Sequence, residues 1–334
     1  MDATSPREPA PGEPRPREFI FLLTPQFSMI AFAAAIEPLR IANRMSRRQL
    51  YIWRTASATG GQVPASNGCS VSVDMGLEDV PRDSSIVVCA GLELRDAATK
   101  PVLTWLRKQS RRGIAMGAVC TGAHILAKAG LLDGKRCTIH WENQAAFAEE
   151  FPESELCNLL YVTDDGTFTC AGGTAAADMM LHLITEDHGP DLSSLVADAL
   201  IHAPVRGDAD EQRLSVPARI GVRHPKLVTI IQSMERNTED PISPSELARG
   251  VNMSTRQLER LFRRYLNRSP KRYYMELRLE KARNLLLQTD MSVINVALAC
   301  GFTSPSHFSK CYRSHFNRTP YRERGTPSEQ RQRA

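Results

Sequence analysis

Apolar positions in roughly the first 200 residues fall into short continuous runs separated by longer amphipathic stretches. Residues 19–23 and 85–90 are continuous apolar runs, which is typical of strands buried on both faces of a parallel sheet. Residues 114–119 form a third run of this kind. The amphipathic stretches predict helices over residues 30–43, 100–110, 121–129, about 142–150 and 172–188. Strands that alternate with helices predict a three-layer α/β domain with a mostly parallel sheet.

Shorter patterns predict the remaining strands of this domain. Residues 51–59 have the composition of a strand, and residues 69–73 alternate between polar and apolar side chains like a half-exposed one. Asp165-Gly166 separates residues 159–163 from residues 167–171 and predicts a tight hairpin between them.

After residue 223 the strand signal stops, and one helical pattern occurs twice, about 50 residues apart. The first copy is Leu-Ala-Arg-Gly-Val-Asn-Met-Ser at 247–254, and its apolar positions are Leu258, Phe262 and Leu266. The second copy is Val-Ala-Leu-Ala-Cys-Gly-Phe-Thr-Ser at 296–304, and its apolar positions are Phe308, Tyr312 and Phe316. A short helix, a tight turn and a capped basic helix form a helix-turn-helix, and two in tandem predict binding to duplex DNA.

The second helix of each copy carries the predicted DNA contacts. Ser254 and Ser304 are predicted N-caps, and Leu258, Leu261, Phe262 and Tyr265 have core spacing in the first copy. The polar positions between core residues are assigned to DNA because Arg forks onto guanine edges and Thr contacts thymine methyls or phosphates. These positions are Ser254, Thr255, Arg256, Glu259, Arg260, Arg263, Ser304, Ser306, His307, Ser309, Lys310 and Arg313.

A continuous helix over residues 271–288 is predicted to join the two copies. Its roughly 18 residues span about 27 Å at 1.5 Å per residue, which suits two helices placed in successive major grooves about 34 Å apart. The alternative is that one copy is only a structural partner. The second copy is the weaker DNA candidate, because residues 304–314 carry only Lys310 and Arg313 whereas residues 254–264 carry four arginines.

Charge is divided between the two parts of the chain. Residues 224–334 carry 20 Lys and Arg against 10 Asp and Glu, while the first 223 residues carry 22 against 27. A basic module joined to a mildly acidic domain fits polyanion binding by the C-terminal part. The eight cysteines show no CxxC pair and predict reduced thiols in a cytoplasmic protein. No apolar stretch is long enough to cross a membrane.

The C-terminal part resembles the AraC/XylS transcription regulators from about residue 225 to residue 322. The resemblance rests on the tandem copies, the linking segment Tyr-Tyr-Met-Glu-Leu-Arg-Leu-Glu-Lys-Ala-Arg at 273–283, and residues 296–310. It implies a promoter-binding regulator, usually an activator that contacts RNA polymerase. By this resemblance Ala297, Gly301 and Phe308 are structural, and the exposed positions named above contact DNA.

The N-terminal part resembles class I glutamine amidotransferase-like proteins of the PfpI group over about residues 19–199. The resemblance rests on a strand-turn-helix at 114–124 with Cys120 at its junction, on residues 130–141, and on Ala-Gly-Gly-Thr at 171–174. It implies a flavodoxin-like, amidotransferase-like fold. A turn of this kind holds a side chain beside a helix N-terminus, which favours a thiolate or a bound anion.

Catalysis by Cys120 is not predicted, because a catalytic thiol needs a partner that tunes its pKa. Protease-like relatives carry His after the cysteine, where this chain has Thr121, and an acid on the first helix, where it has Ala31. A catalytic pair between Cys120 and His140 stays as an alternative. The preferred interpretation is a ligand pocket on the former catalytic cleft, and an alternative is a domain that only dimerises. The candidate ligand residues are Glu37, Cys120, Thr121, His140 and Trp141.

The candidate ligand is a small nitrogen metabolite such as a betaine, carnitine or a basic amino acid. Residues 37–40 (Glu-Pro-Leu-Arg) with Asn43 resemble a subgroup of regulators that sense such compounds, and Trp141 and Tyr51 offer aromatic faces for a quaternary ammonium. A packed core indole is the alternative for Trp141. Histidine spacing gives no metal-ligand pattern, so no metal and no cofactor are expected.

The sequence thus predicts five segments: a disordered tail (1–17), a sensor domain (18–202), a linker (203–223), a DNA-binding domain (224–323) and a second disordered tail (324–334). The expected function is a cytoplasmic, homodimeric transcription regulator, with promoter DNA, RNA polymerase and a small-molecule inducer as partners. The alternative is a cysteine-dependent hydrolase or amidotransferase-like enzyme targeted to DNA. An architectural DNA-bending protein is disfavoured because it has no use for the α/β domain.

Overall fold

The computed structural model describes residues 15–91, 94–207, 210–212 and 216–324. The chain divides into two units between residues 212 and 213. The predicted disordered tails lie outside the described residues at 1–14 and 325–334. Within the described part Arg17 begins the first strand and Arg324 ends the last helix, so both predicted tails reach slightly into ordered structure.

The first unit is built on a six-stranded sheet whose strand order is β2-β1-β5-β6-β10-β9. Its strands are β1 Arg17–Leu23, β2 Tyr51–Ala56, β5 Ser85–Ala90, β6 Ala115–Cys120, β9 Tyr161–Asp164 and β10 Thr167–Cys170. All neighbours are parallel except the β9–β10 hairpin, which turns at Asp165-Gly166 as predicted. Two small ribbons flank the sheet: β3 Gln62–Pro64 with β4 Ser70–Ser72, and β7 Arg136–Cys137 with β8 Glu155–Leu156.

Helices cover both faces of this sheet. They are α1 Met29–Ser46, α2 Leu94–Ala97, α3 Lys100–Arg111, α4 Gly122–Lys128, α5 Gln144–Glu150, α6 Ala175–His188 and α7 Pro190–Leu200. Alternate residues of β1 enter different cores: Phe19 and Phe21 pack with α1 and α6, while Ile20 and Leu22 pack with α3 and α4. The continuous apolar run of β1 is therefore buried on both faces, and the predicted three-layer α/β fold is confirmed.

Three predicted boundaries shift for local reasons. The strand predicted over 51–59 ends at Ala56, where the Asp74 carboxylate accepts hydrogen bonds from the Thr55 amide and hydroxyl at 2.7 and 2.8 Å. The segment 69–73 pairs only in a small ribbon. The helix predicted from about residue 142 begins at Gln144, after a 3-10 turn at Trp141–Asn143.

The second unit is helical throughout its described residues. Its helices are α8 Val216–Ile220, α9 Pro225–Arg236, α10 Pro244–Gly250, α11 Thr255–Leu266, α12 Pro270–Gln288, α13 Val293–Ala299, α14 Pro305–Phe316 and α15 Pro320–Arg324. The helix-turn-helix pairs are α10–α11 and α13–α14, and α12 is the predicted linking helix. Leu258, Phe262, Phe308 and Tyr312 are fully buried, in agreement with the predicted core spacing.

Tyr265 is a correction to the predicted core. Its side chain is 36% exposed, its ring centroid lies 5.6 Å from that of His224, and the Arg264 guanidinium lies 5.3 Å above it. It sits in the last turn of α11, so it covers the start of α9 instead of filling the centre of the unit.

Much of the predicted linker 203–223 has defined contacts. In the first unit the Arg206 guanidinium binds the Asp178 carboxylate of α6 at 2.5 Å, and Gln212 donates to the region around Thr138. In the second unit Val216 of α8 is buried against α9. The segment is therefore built into both units on either side of residues 212–213.

Candidate functional site

Both candidate DNA-contacting helices begin with the same serine cap. The Ser254 hydroxyl accepts the Gln257 amide at 3.2 Å, and the Gln257 side chain accepts the Ser254 amide in return. The Ser304 hydroxyl accepts the His307 amide at 3.3 Å. These caps occupy two of the twelve predicted DNA contacts, so Ser254 and Ser304 define where α11 and α14 start.

The predicted contacts lie on accessible faces. Ten of the twelve positions are exposed, and Glu259 and Ser309 are partly buried. On α11 the exposed positions include Arg256, Arg260 and Arg263, and the opposite side of the helix carries the buried Leu258 and Phe262. A face with several unburied guanidinium groups beside a helix N-terminus has the charge and geometry needed for phosphates and base edges.

The turns before these helices both contain a residue with positive φ, but the residue type differs between the two copies. In the first copy Asn252 adopts φ 51°, and in the second Gly301 adopts φ 71°. Asn is tolerated in the left-handed region, whereas a side chain at Gly301 would overlap the Glu239 carbonyl oxygen. Sequence reasoning named the glycine-containing turn but missed Asn252, because Gly250 is the last residue of α10.

A contact that the sequence pattern missed lies on α14. The His307 Nε2 atom is 3.3 Å from the Cys311 Sγ atom, one helical turn away. This contact orients the imidazole along the exposed side of the helix. A spacing of four residues on a predicted helix is the signal that identifies such a pair.

In the first unit Cys120 occupies a strained turn between β6 and α4. Its φ of 57° is unusual for a residue with a side chain. Gly172 packs so closely that a Cβ there would lie 2.6 Å from the Cys120 Cβ, and the Thr121 hydroxyl donates to the Gly91 carbonyl at 2.7 Å. The predicted elbow is therefore present, and the glycine after β10 is what allows it.

Burial favours the neutral forms of the thiol and the imidazole at this elbow. Burial raises the pKa of the Cys120 thiol to about 11, against a smaller opposite effect of the Thr121 amide. Burial also lowers the pKa of His140, partly offset by Glu142. The His140 Nδ1 atom lies 3.9 Å from the Glu142 Oε2 atom, and the His140 amide donates to the Cys120 carbonyl at 3.4 Å. The His140 contact to Cys120 is thus made by backbone groups.

Trp141 extends this cluster toward solvent. Its side chain is 38% exposed, and its ring centroid lies 5.7 Å from the His140 ring. The alternative of a fully packed core indole does not fit this exposure. Glu142, which follows Trp141, was missed by sequence reasoning, because a glutamate at a helix start looks like an ordinary helix-capping residue.

Three other residues named in the sequence analysis are engaged elsewhere. The Glu37 carboxylate accepts two hydrogen bonds from the Arg40 guanidinium, at 2.5 and 2.9 Å. Tyr51 is fully buried and its hydroxyl donates to Asp187 at 3.0 Å, so the idea of a Tyr51 aromatic face for a ligand is wrong. Asn43 hydrogen bonds to the backbone of residues 50 and 51, which is a structural role.

Residues 202–207 and 210–212 contact the segments on either side of the elbow. The Asp178 carboxylate, which is inaccessible to solvent, accepts from His202 Nε2 at 2.7 Å and from Arg206, whose guanidinium also donates to Thr174. The Gln212 amide nitrogen lies 2.8 Å from the Thr138 hydroxyl and 2.9 Å from the Ile139 carbonyl. Thr174 and Asp178 follow Gly172-Gly173 along the chain, and Thr138 and Ile139 precede His140. Residues 202–207 and 210–212 are therefore hydrogen bonded to segments on both sides of Cys120.

The described residues hold no group of three or more His, Cys, Asp and Glu side chains arranged to bind a metal ion. Within the same part of the chain, no helix is both long enough and apolar enough to cross a membrane. All eight cysteines are free.

Known proteins are similar to this chain along both units. A model of the DJ-1/PfpI family matches residues 20–186, and a helix-turn-helix domain model matches residues 247–325. The HTH-type transcriptional regulator GbdR of Pseudomonas aeruginosa is 47% identical over 319 residues, which are 94% of this chain and 87% of that protein. The regulator CdhR of the same organism is 47% identical over 308 residues, which are 92% of this chain and 91% of that protein.

A solved structure agrees with these relatives. An AraC family transcriptional regulator from Pseudomonas putida is similar with a TM-score of 0.50 and 27% identity, over 55% of this chain and 100% of that chain. The similarity to GbdR and CdhR extends over both the first unit, which contains Cys120, and the second unit with its two helix-turn-helix pairs. The chain therefore belongs to the AraC-type family of DNA-binding transcription regulators that carry an N-terminal DJ-1/PfpI-type domain.

Proposed function

We propose that this regulator contacts DNA through both α11 and α14 and that a small molecule bound at the Cys120 elbow controls it. The observation that carries the DNA part is the duplicated cap and exposed face: both helices start at a serine N-cap and present their polar positions to solvent. The α11 face supplies most of the base and phosphate contacts, because it carries Arg256, Arg260 and Arg263. The α14 face, with Lys310 and Arg313, fixes the register of the protein along the DNA.

The DNA proposal is tested by binding to a duplex selected from a random library with the full chain. Arg256→Ala is expected to weaken specific binding and relax base choice at one position, by roughly 1–3 kcal/mol. Arg264→Ala is the matched control, because Arg264 lies on the same helix but outside the predicted set. Specific binding should weaken steeply with salt, since each phosphate contact releases counterions. Unchanged affinity and base preference in Arg256→Ala would mean that α11 does not contact base edges.

The ligand proposed for the elbow is a small nitrogen metabolite with a quaternary ammonium or similar cation. Trp141 offers a partly exposed aromatic face, and the neighbouring Glu142 supplies a negative charge. The other groups at the elbow are a neutral thiol, a neutral imidazole and the buried Thr121 hydroxyl. An aromatic face with a nearby carboxylate favours a cation over an anion.

A thermal-shift measurement on the full chain tests this ligand class. Glycine betaine is compared with 3,3-dimethylbutanoate, which has the same shape and carboxylate but a carbon in place of the ammonium nitrogen. A ligand at one hundred times its dissociation constant stabilises the folded state by about 2.7 kcal/mol. Betaine or a related ammonium compound should raise the unfolding temperature of the wild type but not of Trp141→Ala. An equal response to both compounds would contradict recognition of the cation.

The ligand signal is proposed to pass from the elbow to the DNA-binding unit along residues 202–212. The regulator is proposed to act in the cytoplasm as a homodimeric activator that contacts RNA polymerase. Support comes from the two ties of this segment, Arg206 to Asp178 and Gln212 to Thr138 and Ile139, on either side of Cys120. A bound ligand that shifts either side changes the segment that leads into the second unit. Reporter transcription with Asp178→Asn or Gln212→Ala should respond less to the ligand, while Gln144→Ala, whose side chain donates to Asn158 at the surface, serves as control.

A cysteine-dependent enzyme is the second candidate function. The observation in its favour is the positive φ of Cys120, because strained backbone of this kind concentrates at functional sites. Against it stand the high thiol pKa and a His140 whose hydrogen bond to Cys120 joins backbone groups only. A regulator without enzymatic activity is therefore the proposal, and the reactivity of Cys120 decides between the two.

A further inference from the structure

One face of α12 touches both helix-turn-helix units. Tyr274, Arg278 and Lys281 lie four and three residues apart and so share one side of the helix. They contact the loop at residues 237–242, which precedes α10, and the turn at residues 300–302, which precedes α14. We call this set of contacts the α12 joint.

On the side of the first helix-turn-helix the joint consists of two hydrogen-bonded side chains. The Tyr274 hydroxyl donates to the Asn237 carbonyl and accepts the Ile242 amide at 3.3 Å. The Lys281 ammonium donates to the Thr238 hydroxyl at 3.1 Å. Both ends of the loop are therefore held to α12.

On the side of the second helix-turn-helix the joint is Arg278. Its Nε donates to the Cys300 carbonyl at 2.7 Å, and its Nη2 donates to the Gly301 carbonyl at 2.6 Å. The guanidinium carbon also lies 4.2 Å from the Phe302 ring centroid. The C-terminal carbonyls of a helix lack partners within it and carry partial negative charge, so a planar cation suits them. A fork onto two carbonyls plus a stacked ring fixes the direction of the turn before α14.

The two helix-turn-helix copies also meet without a side chain between them. A Cβ on Gly301 would overlap the Glu239 carbonyl oxygen and lie 2.8 Å from the Pro241 ring. The backbone of the turn before α14 therefore rests on the loop before α10. The corresponding cation in the first copy is weaker: Lys226 of α9 donates one exposed hydrogen bond to the Asn252 carbonyl at 3.2 Å.

We propose that Arg278 is a specificity-determining positioning residue, which fixes the separation and rotation between α11 and α14 and so restricts the protein to operators of one spacing. This inference rests on the proposed contact of both helices with DNA. One base pair changes the distance between two sites by about 3.4 Å and their rotation by about 35°. A fixed pair of helices cannot follow such a change without distorting itself or the DNA.

The test measures the affinity of the full chain for its selected operator and for derivatives with one base pair added or removed between the two protected elements. The wild type should lose about tenfold or more on each altered spacing, the order of one mismatched contact. Arg278→Ala should bind the original operator about tenfold more weakly and lose roughly threefold or less on altered spacing, because the freed units adjust. Arg278→Lys should fall between them, since it keeps the charge without the fork. Arg272→Ala on the exposed side of α12 should match the wild type.

An Arg278→Ala protein with a normal unfolding temperature and the full spacing penalty would overturn the proposal. If that variant does not fold, Arg278→Lys takes its place, since it keeps the charge and removes the fork. A spacing penalty smaller than that of the wild type in Arg278→Lys supports the proposal, and the full wild-type penalty overturns it. A selected operator with a single protected element would refute the two-helix contact itself and the spacing claim with it, whereas two elements with an unchanged penalty refute the role of Arg278 alone.

Discussion

Cys120 should be a slow nucleophile, and the structure sets the size of the effect. Burial raises the pKa of its thiol from 9.0 to about 11. Two pKa units correspond to about a 100-fold smaller thiolate fraction at neutral pH, and the thiolate is the reactive form. The thiolate of higher pKa is the stronger nucleophile and offsets part of this factor, so at pH 7.5 Cys120 should react with iodoacetamide at least about tenfold more slowly than an ordinary thiol. Cys69, which is exposed, is the reference within the same chain.

The rate of Cys120 alkylation should increase with pH. Below its pKa the thiolate fraction rises about tenfold per pH unit, so the Cys120 rate should keep climbing toward pH 11 and then level off. Mass spectrometry of the labelled peptides follows both cysteines in one experiment. A Cys120 rate that equals or exceeds the Cys69 rate at pH 7.5 and changes little with pH would show a stabilised thiolate. That result would refute the neutral-thiol argument and favour the enzyme.

Three further substitutions test the folding arguments. Ser254→Ala removes the cap of α11 and should cost about 1 kcal/mol, seen as an unfolding temperature lower by a few degrees; an unchanged temperature would mean that the cap contributes nothing. Asp178→Ala leaves His202 and Arg206 without their buried acceptor and should cost about 3 kcal/mol in urea unfolding, while Glu149→Ala at an exposed position of α5 should leave the midpoint unchanged. Gly172→Ala should destabilise the first unit more than Gly173→Ala, because both have positive φ but only Gly172 lies against Cys120; equal losses would contradict the close-packing argument.

The fold followed from the sequence wherever one period dominated a segment. The apolar run that became β1 predicted a strand buried on both faces, and the spacing of Leu258 and Phe262 predicted the core side of α11. Boundaries were less accurate where a side chain from elsewhere ended an element, as Asp74 does at the end of β2. Tyr265 was assigned to the core because spacing cannot distinguish the last turn of a helix, where a side chain covers a neighbour, from its middle.

The candidate sites were predicted less completely than the fold. Local patterns identified the elbow at Cys120 and the exposed face of α11, since both depend on neighbouring residues. The contacts of Asp178, Gln212 and Arg278 join residues 22 or more positions apart, for which the chain carries no periodic signal. Glu37 was chosen by resemblance, but its carboxylate binds Arg40 one helical turn away.

Two helices of one chain are proposed to contact DNA in successive major grooves. A hydroxyl-radical footprint of the full chain on its selected operator is the decisive measurement. Two protected patches on one face of the duplex, about 34 Å apart, are predicted. Arg256→Ala should weaken one patch, and Lys310→Ala should weaken the other. A single protected patch, or loss of the same patch in both variants, would contradict DNA contact by both α11 and α14.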